Sequence, residues 1–258
     1  MAEAFNKHFT DIGQSLTQEI PATDVEPECY ITPTHKTFSL QTPSVDTVYN
    51  LLTKMNHRKA TGLDRIPCEL LKMAASIVAP SLTGIFEKSI HTGIFPTDWK
   101  LARVTPVFKK GIKSDLNNYR PISVIPVVSK IFEKIIYDQL YEYLNDNKLL
   151  SNCQSGFRPL HSTLTALLEA TNSWSVNIDN GLLNGVVFID LKKAFDTIDH
   201  EIMLRKMSFF GVDHNTLKWF QSYLGNRNRV CNVNGYLSTT RTITCGVPQG
   251  SILGPLLF

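Results

Sequence analysis

The sequence predicts an α+β fold, mostly helical, with an antiparallel sheet and a separate β-hairpin. Three observations predict it. Apolar residues recur at helical spacing in a succession of segments separated by Gly, Pro and polar turns. Two stretches alternate apolar and polar residues around turn signals, as hairpins do. A run of apolar residues, Val186 to Ile189, ends in the acidic Asp190 and reads as a buried strand emerging from a core. With 258 residues, 43% of them hydrophobic, the chain can bury one large core or two modest ones, which excludes wholesale disorder.

The elements follow in order. Residues 3–18 place Phe5, Phe9, Ile12 and Leu16 at helical spacing. Residues 21–43, with four prolines and many Thr and Glu, read as a linker, and a domain boundary is expected near residue 43. Ser44 caps a helix that carries Val45, Val48, Leu51, Leu52 and Met55 on one face, followed by the polar turn HRKATGLDRIP. Helices are expected near 67–78 and 80–91, the second ending near Gly93. GIFPTDWK then leads into a strand at 102–108, a basic loop and a strand at 119–125, together a hairpin with a charged tip. Two amphipathic helices follow at about 128–145 and 162–178, then the Asp190 strand and helices near 200–210 and 215–224. In RVCNVNGYLSTTRTIT, Asn234 and Gly235 suit a tight two-residue hairpin turn. The last residues, CGVPQGSILGPLLF, form a Gly/Pro loop that opens an apolar helix.

Charge is uneven along the chain. The net charge is +3, but residues 1–50 hold two basic against seven acidic side chains, a balance of −5 that leaves +8 for the rest. The densest positive stretch holds Lys100, Arg103, Lys109, Lys110, Lys113 and Arg120 against Asp115. Such a cluster favours a polyanion through counterion release, although many charge runs are only solvated faces. Five cysteines, at 29, 68, 153, 231 and 245, are widely spaced and odd in number, which argues against a disulfide framework or a zinc module. No apolar run reaches the ~18–20 residues that span a bilayer, and the first residues lack a secretory pattern. An intracellular protein is expected.

Asp190 is the candidate catalytic group. Burying a carboxylate at a strand end is costly unless a cation neutralises it, so it reads either as a divalent-metal ligand for phosphoryl transfer or as the cap of the next helix. Asp196 and Asp199 read as cap and surface groups.

Six blocks stand in a fixed order: KATGLDRIPCELLK (59–72), WKLARVTPVFKKG (99–111), NYRPISVIPVVSKIFEKII (118–136), QSGFRP (154–159), FIDLKKAFDTIDH (188–200) and GVPQGSILGPLLF (246–258). Together they resemble the reverse transcriptase domain of non-LTR, LINE-like retrotransposons of the jockey and CR1 type, from about residue 45 onward. The acidic start is similar to the segment that joins an upstream endonuclease to the polymerase in such elements.

The resemblance implies a right-hand polymerase: residues 1–43 as the connector, 44–180 as fingers and 181–258 as a partial palm. It implies Asp190 as the first catalytic, metal-binding aspartate, with Leu191 lending its carbonyl to the same Mg2+ (or Mn2+) ion. Phe195 matches the aromatic gate against a ribose 2′-hydroxyl; the alternative is a Phe packed in the core. Lys109, or its neighbour Lys110, and Arg120 match the cations that grip the triphosphate. Gln249 and Gly250 match the loop against nucleotide and template, where the alternative is a plain turn. Lys100, Arg103 and Lys113 are candidate nucleic-acid contacts, and Arg158 either touches template or braces its surroundings.

The implied partners are an RNA template, a DNA primer and deoxynucleoside triphosphates, with no membrane and an oligomeric state the sequence leaves open. The family also implies a nuclear or cytoplasmic location. Its second carboxylate block, an aromatic residue, any residue and two aspartates, has no counterpart, because no Asp-Asp pair occurs in the 258 residues. The expectation is therefore a truncated polymerase without a thumb, inactive and poorly folded alone. The competing readings are a non-catalytic nucleic-acid-binding remnant and, less well matched by NNYRPISV and PQGSILGPLLF, an intron-type reverse transcriptase.

Overall fold

The computed structural model describes residues 1–19, 25–56 and 60–258; residues 20–24 and 57–59, where the expected linker and the first block begin, lie outside the described residues. The chain divides into two compact units, Met1–Tyr143 with Lys193–Phe258, and Leu144–Lys192.

The larger unit contains most elements. Helix α1, Ala2–Gln18, buries Phe5, Asn6, Phe9 and Gly13. Its face is thus centred nearer the N-terminus than Phe5–Leu16 periodicity predicts. Helix α2, Val45–Thr53, starts where Ser44 accepts the Thr47 N–H at 3.1 Å. Helices α3, Cys68–Met73, and α4, Ala75–Thr92, follow, and α4 stops at Gly93, whose φ of 67° places it in the left-handed C-cap conformation. Strands β1, Leu101–Phe108, and β2, Tyr119–Val124, form the predicted hairpin, and helix α5 spans Val127–Asp146. Beyond the smaller unit come α7, His200–Phe209, and α8, His214–Leu224, capped by Asp199 and Asp213. Strands β3, Arg227–Val233, β4, Tyr236–Leu237, and β5, Arg241–Ile243, precede the short helix α9, Gly254–Leu257.

The five strands form one mixed sheet in the order β2-β1-β3-β4, with β5 also on β3. This corrects the expected antiparallel sheet with a separate hairpin: β1 runs parallel to β3, pairing Leu101 with Asn228 and Val104 with Cys231. The physical reason is the long α5–α8 crossover, which returns the chain to β1 in the same direction. Phe86 stacks on Phe132 with centroids 4.4 Å apart, Phe95 lies parallel to Phe132 at 6.0 Å, Trp99 and Trp219 meet Phe132 edge-on, and Tyr223 meets Phe95 edge-on. Helix α1 belongs to this unit: Phe5 packs edge-on against Tyr119 at 4.7 Å, and buried Arg229 donates to Thr10 Oγ1 at 3.2 Å.

The smaller unit holds helix α6, Thr163–Asp179, opened by a capping box between Ser162 and Thr165. Asn184 ties the following turn to it by donating to the Trp174 carbonyl at 3.0 Å. The expected buried strand is not formed. Val186–Asp190 is exposed, with Phe188 88% and Ile189 84% accessible, and it has no ladder partner among the described residues. Apolar, β-branched sequence favours extension, but only pairing makes a strand.

Candidate active site

Lys109 and Arg120 stand on the β1–β2 hairpin. Arg120 pairs across from Val107, Phe108 across from Tyr119, and the Lys109 N–H donates to the Asn118 carbonyl at 2.8 Å. Side chains alternate along a strand, so Lys109 and Arg120 are exposed diagonal neighbours on one face. Lys110 and Lys113 are exposed in the connecting loop, Lys113 lying 5.9 Å over the Phe108 ring.

Lys193 joins them, and sequence reasoning missed it. Its Nζ donates to the Tyr119 carbonyl at 3.1 Å and lies 3.4 Å from that of Asn117. Burial lowers its pKa; Asp196 opposes that shift, and the charges of Lys109 and Arg120 add to it. Three cations therefore sit within electrostatic reach of one another. The available signal was the second lysine of FIDLKKAFD, two residues before Phe195; its left-handed backbone, with φ 53°, was not legible.

The PQG turn is fixed to the same frame. The Ser123 N–H of β2 donates to the Gln249 carbonyl at 2.7 Å, and a Cβ on Gly250 would stand 2.4 Å from the Ser123 carbonyl oxygen. With φ 125° as well, only glycine fits, and the close approach it permits is to β2. Gly250 is exposed and Gln249 half-buried, while Val247, Pro248, Ser251 and Leu253 around them are buried.

Phe195 is half-buried, its ring stacked on Phe258 at 5.1 Å. Its carbonyl accepts the Val247 N–H at 2.8 Å, and the Gly246 N–H reaches the Ile198 carbonyl at 2.7 Å. The segment carrying Phe195, the PQG turn and the cationic hairpin are thus stitched together by main-chain bonds. Asp199 is the cap expected of it, accepting from Glu201 and Ile202 N–H groups. Asp196 is half-buried, and the cap of α7 is Asp199 instead; burial raises the Asp196 pKa, opposed by Arg229 and Lys193.

The other predicted residues have these surroundings. Lys100 is a correction: it is only 7% exposed and its Nζ donates to the Gly225 carbonyl at 3.1 Å, so its charge is spent inside the fold. Arg103 is half-buried and donates to the Thr61 carbonyl at 2.9 Å. In the smaller unit, Arg158 donates to the Ser151 carbonyl at 2.8 Å, bracing its own loop, while Asp190 and Leu191 are exposed. Among the described residues no group of three or more His, Cys, Asp or Glu side chains could hold a metal ion. A divalent cation takes about six oxygen ligands, so Asp190 and the Leu191 carbonyl do not by themselves fit one. No helix among the described residues is long and apolar enough to cross a membrane.

A mixed sheet whose cationic hairpin is bonded to a glycine turn and an aromatic residue is compatible with a template-directed nucleotide polymerase. The family described as reverse transcriptase (RNA-dependent DNA polymerase) matches residues 107–258. The RNA-directed DNA polymerase from mobile element jockey of Drosophila melanogaster is 30% identical over 227 residues, covering 88% of this chain and 25% of that protein. The probable RNA-directed DNA polymerase from transposon BS of the same species is 28% identical over 234 residues, with the same coverage. A putative 115 kDa protein of the type-1 retrotransposable element R1DM is 28% identical over 259 residues, covering 100% of this chain and 23% of that protein. The chain belongs to the reverse transcriptase family, as a domain of the non-LTR retrotransposon kind, and spans about a quarter of the length of these relatives.

Proposed function

We propose that this chain supplies the nucleotide-gripping part of an RNA-directed DNA polymerase, with 44–180 as fingers, 181–258 as part of the palm and 1–43 as a connector. Lys109, Arg120 and Lys193 hold the triphosphate of an incoming deoxynucleotide. Three cations held close together repel, and a polyanion relieves that repulsion. Gln249 and Gly250, the accessible residues of a buried turn, lie against nucleotide and template. Phe195 sits beside the sugar and disfavours a 2′-hydroxyl. Lys110, Lys113 and Arg103 face the RNA template and DNA primer, inside the cell.

The observation that carries this reading is the main-chain stitching of Phe195, the PQG turn and the Arg120 hairpin into one frame. Reverse transcriptases depend on a divalent metal, Mg2+ or Mn2+ in this proposal, with Asp190 as one ligand. Two-metal transfer needs further carboxylates, and no Asp-Asp pair occurs in the 258 residues, so the isolated chain binds nucleotide but does not extend a primer.

The test is equilibrium binding of dATP and ATP to the purified chain on an RNA template annealed to a chain-terminated DNA primer. The expected result is a preference for dATP of about tenfold that Phe195→Val abolishes, since the rejection is steric. Equal affinity for the two nucleotides in the unmodified chain contradicts the reading.

A further inference from the structure

We propose that Glu133 is a positioning residue for the PQG turn. It lies in α5, fully buried, where a carboxylate is costly unless its oxygens are used. Both are used. Oε2 accepts the Ile252 N–H at 2.7 Å, and Oε1 accepts the Tyr223 hydroxyl at 3.0 Å. The Tyr223 hydroxyl also interacts with the Ser251 side chain, and the Leu253 N–H adds to the stabilisation of the carboxylate.

Arg227 completes the device. It is 1% exposed, lies over the Tyr223 ring at 4.9 Å and opposes the burial-driven rise of the Glu133 pKa. The turn is therefore gripped on both sides, at Gln249 by Ser123 of β2 and at Ile252 by Glu133. That leaves Gln249 and Gly250 presented at a fixed distance from Arg120, which stands three residues before Ser123 on β2. Two buried charged residues supporting a four-residue turn go beyond what a plain Pro/Gly loop needs to enter a helix. This inference rests on the nucleotide-binding reading of the turn, and the experiment separates the two.

The test uses the whole chain carrying Glu133→Ala, and Glu133→Met with Arg227→Met, which removes both buried charges together and keeps the fold accessible if the alanine variant does not hold it. Amide exchange at Ser251, Ile252 and Leu253 and dATP affinity on the RNA·DNA primer–template are measured beside affinity for the primer–template alone. The expected result is exchange at Ile252 accelerated at least tenfold, dATP affinity reduced about tenfold and duplex affinity within twofold, with Glu133→Gln restoring both because its amide still offers an oxygen to Ile252. Unchanged exchange at Ile252 in a folded variant overturns the positioning role. Faster exchange with unchanged dATP affinity overturns the link to nucleotide and leaves a merely structural clamp. Equal loss of dATP and duplex affinity overturns it too, as a general loosening.

Discussion

In the larger unit, helix α5 buries Ile131, Phe132, Ile135 and Ile136 almost completely; in the smaller one, α6 buries no residue at all, and Leu164, Leu167 and Leu168 are more than half exposed. Both helices carry an apolar stripe of similar quality. What separates them is supply of partners: α4 and α8 pack against α5, Phe132 meeting Phe86 and Trp219, whereas the 49 residues from Leu144 to Lys192 have too little chain to build a core. The same contrast divides the two strand signals. Val104 has neighbours on both sides, in β2 and β3, while Val186–Asp190 has none among the described residues. An apolar pattern is a demand for burial, and the fold decides where it is met.

The largest expected effect is in amide exchange. Amides of Ala102 to Val104 and of α5 are expected to exchange at least ~10⁴-fold more slowly than those of Val187 to Asp190, because opening the former requires global unfolding of several kcal/mol. Comparable protection of the Asp190 segment would place it in a paired strand and erase the contrast.

That segment also marks the limit of what was legible. Helix positions, the β1–β2 hairpin, the Asn234-Gly235 turn and the caps at Ser44 and Asp199 follow from local chemistry, and local chemistry is written in the sequence. The parallel pairing of β1 with β3 is not, because it depends on where a crossover of more than a hundred residues returns. The same holds for the site. Lys109, Arg120, Phe195 and Gln249–Gly250 could be named from motif blocks, whereas Lys193 became visible only when its Nζ was found on the Tyr119 carbonyl. Lys100 shows the reverse error: a basic residue in a basic stretch reads as surface until the Gly225 carbonyl is seen to claim it.

Core truncation gives the next effect. Phe132→Ala removes a ring stacked on Phe86 and is expected to cost about 3–5 kcal/mol, lowering the cooperative melt by many degrees. Leu167→Ala, in the exposed stripe of α6, is expected to stay within about 0.5 kcal/mol, so equal costs would show that the smaller unit has a core.

Thiol reactivity sharpens the comparison at lower magnitude. Burial pushes the Cys231 thiol up to about 11, while Cys153 is exposed. At pH 7.5, iodoacetamide is expected to modify Cys153 at least ~10²-fold faster than Cys231 in the folded chain, the thiolate being the nucleophile. Similar rates read by mass spectrometry would mean that the sheet around Cys231 opens readily.

The smallest effect compares one cap chemistry in two settings. Asp199→Ala removes a cap within the larger unit and is expected to cost its melt about 1 kcal/mol. Ser162→Ala removes an equivalent cap from α6 and is expected to leave that melt unchanged while reducing helicity at low temperature. A matching shift in the melt for both would mean that the units unfold together.

The central claim is that the packed unit carries a triphosphate grip made by Lys109, Arg120 and Lys193. Calorimetric titration of the chain with dATP, beside Arg120→Ala and Lys193→Ala, tests it most directly. The account predicts that each substitution weakens binding about tenfold, the cost of roughly one charge-assisted contact, with the melt of Arg120→Ala unaltered. Unchanged dATP affinity in both folded variants would contradict it.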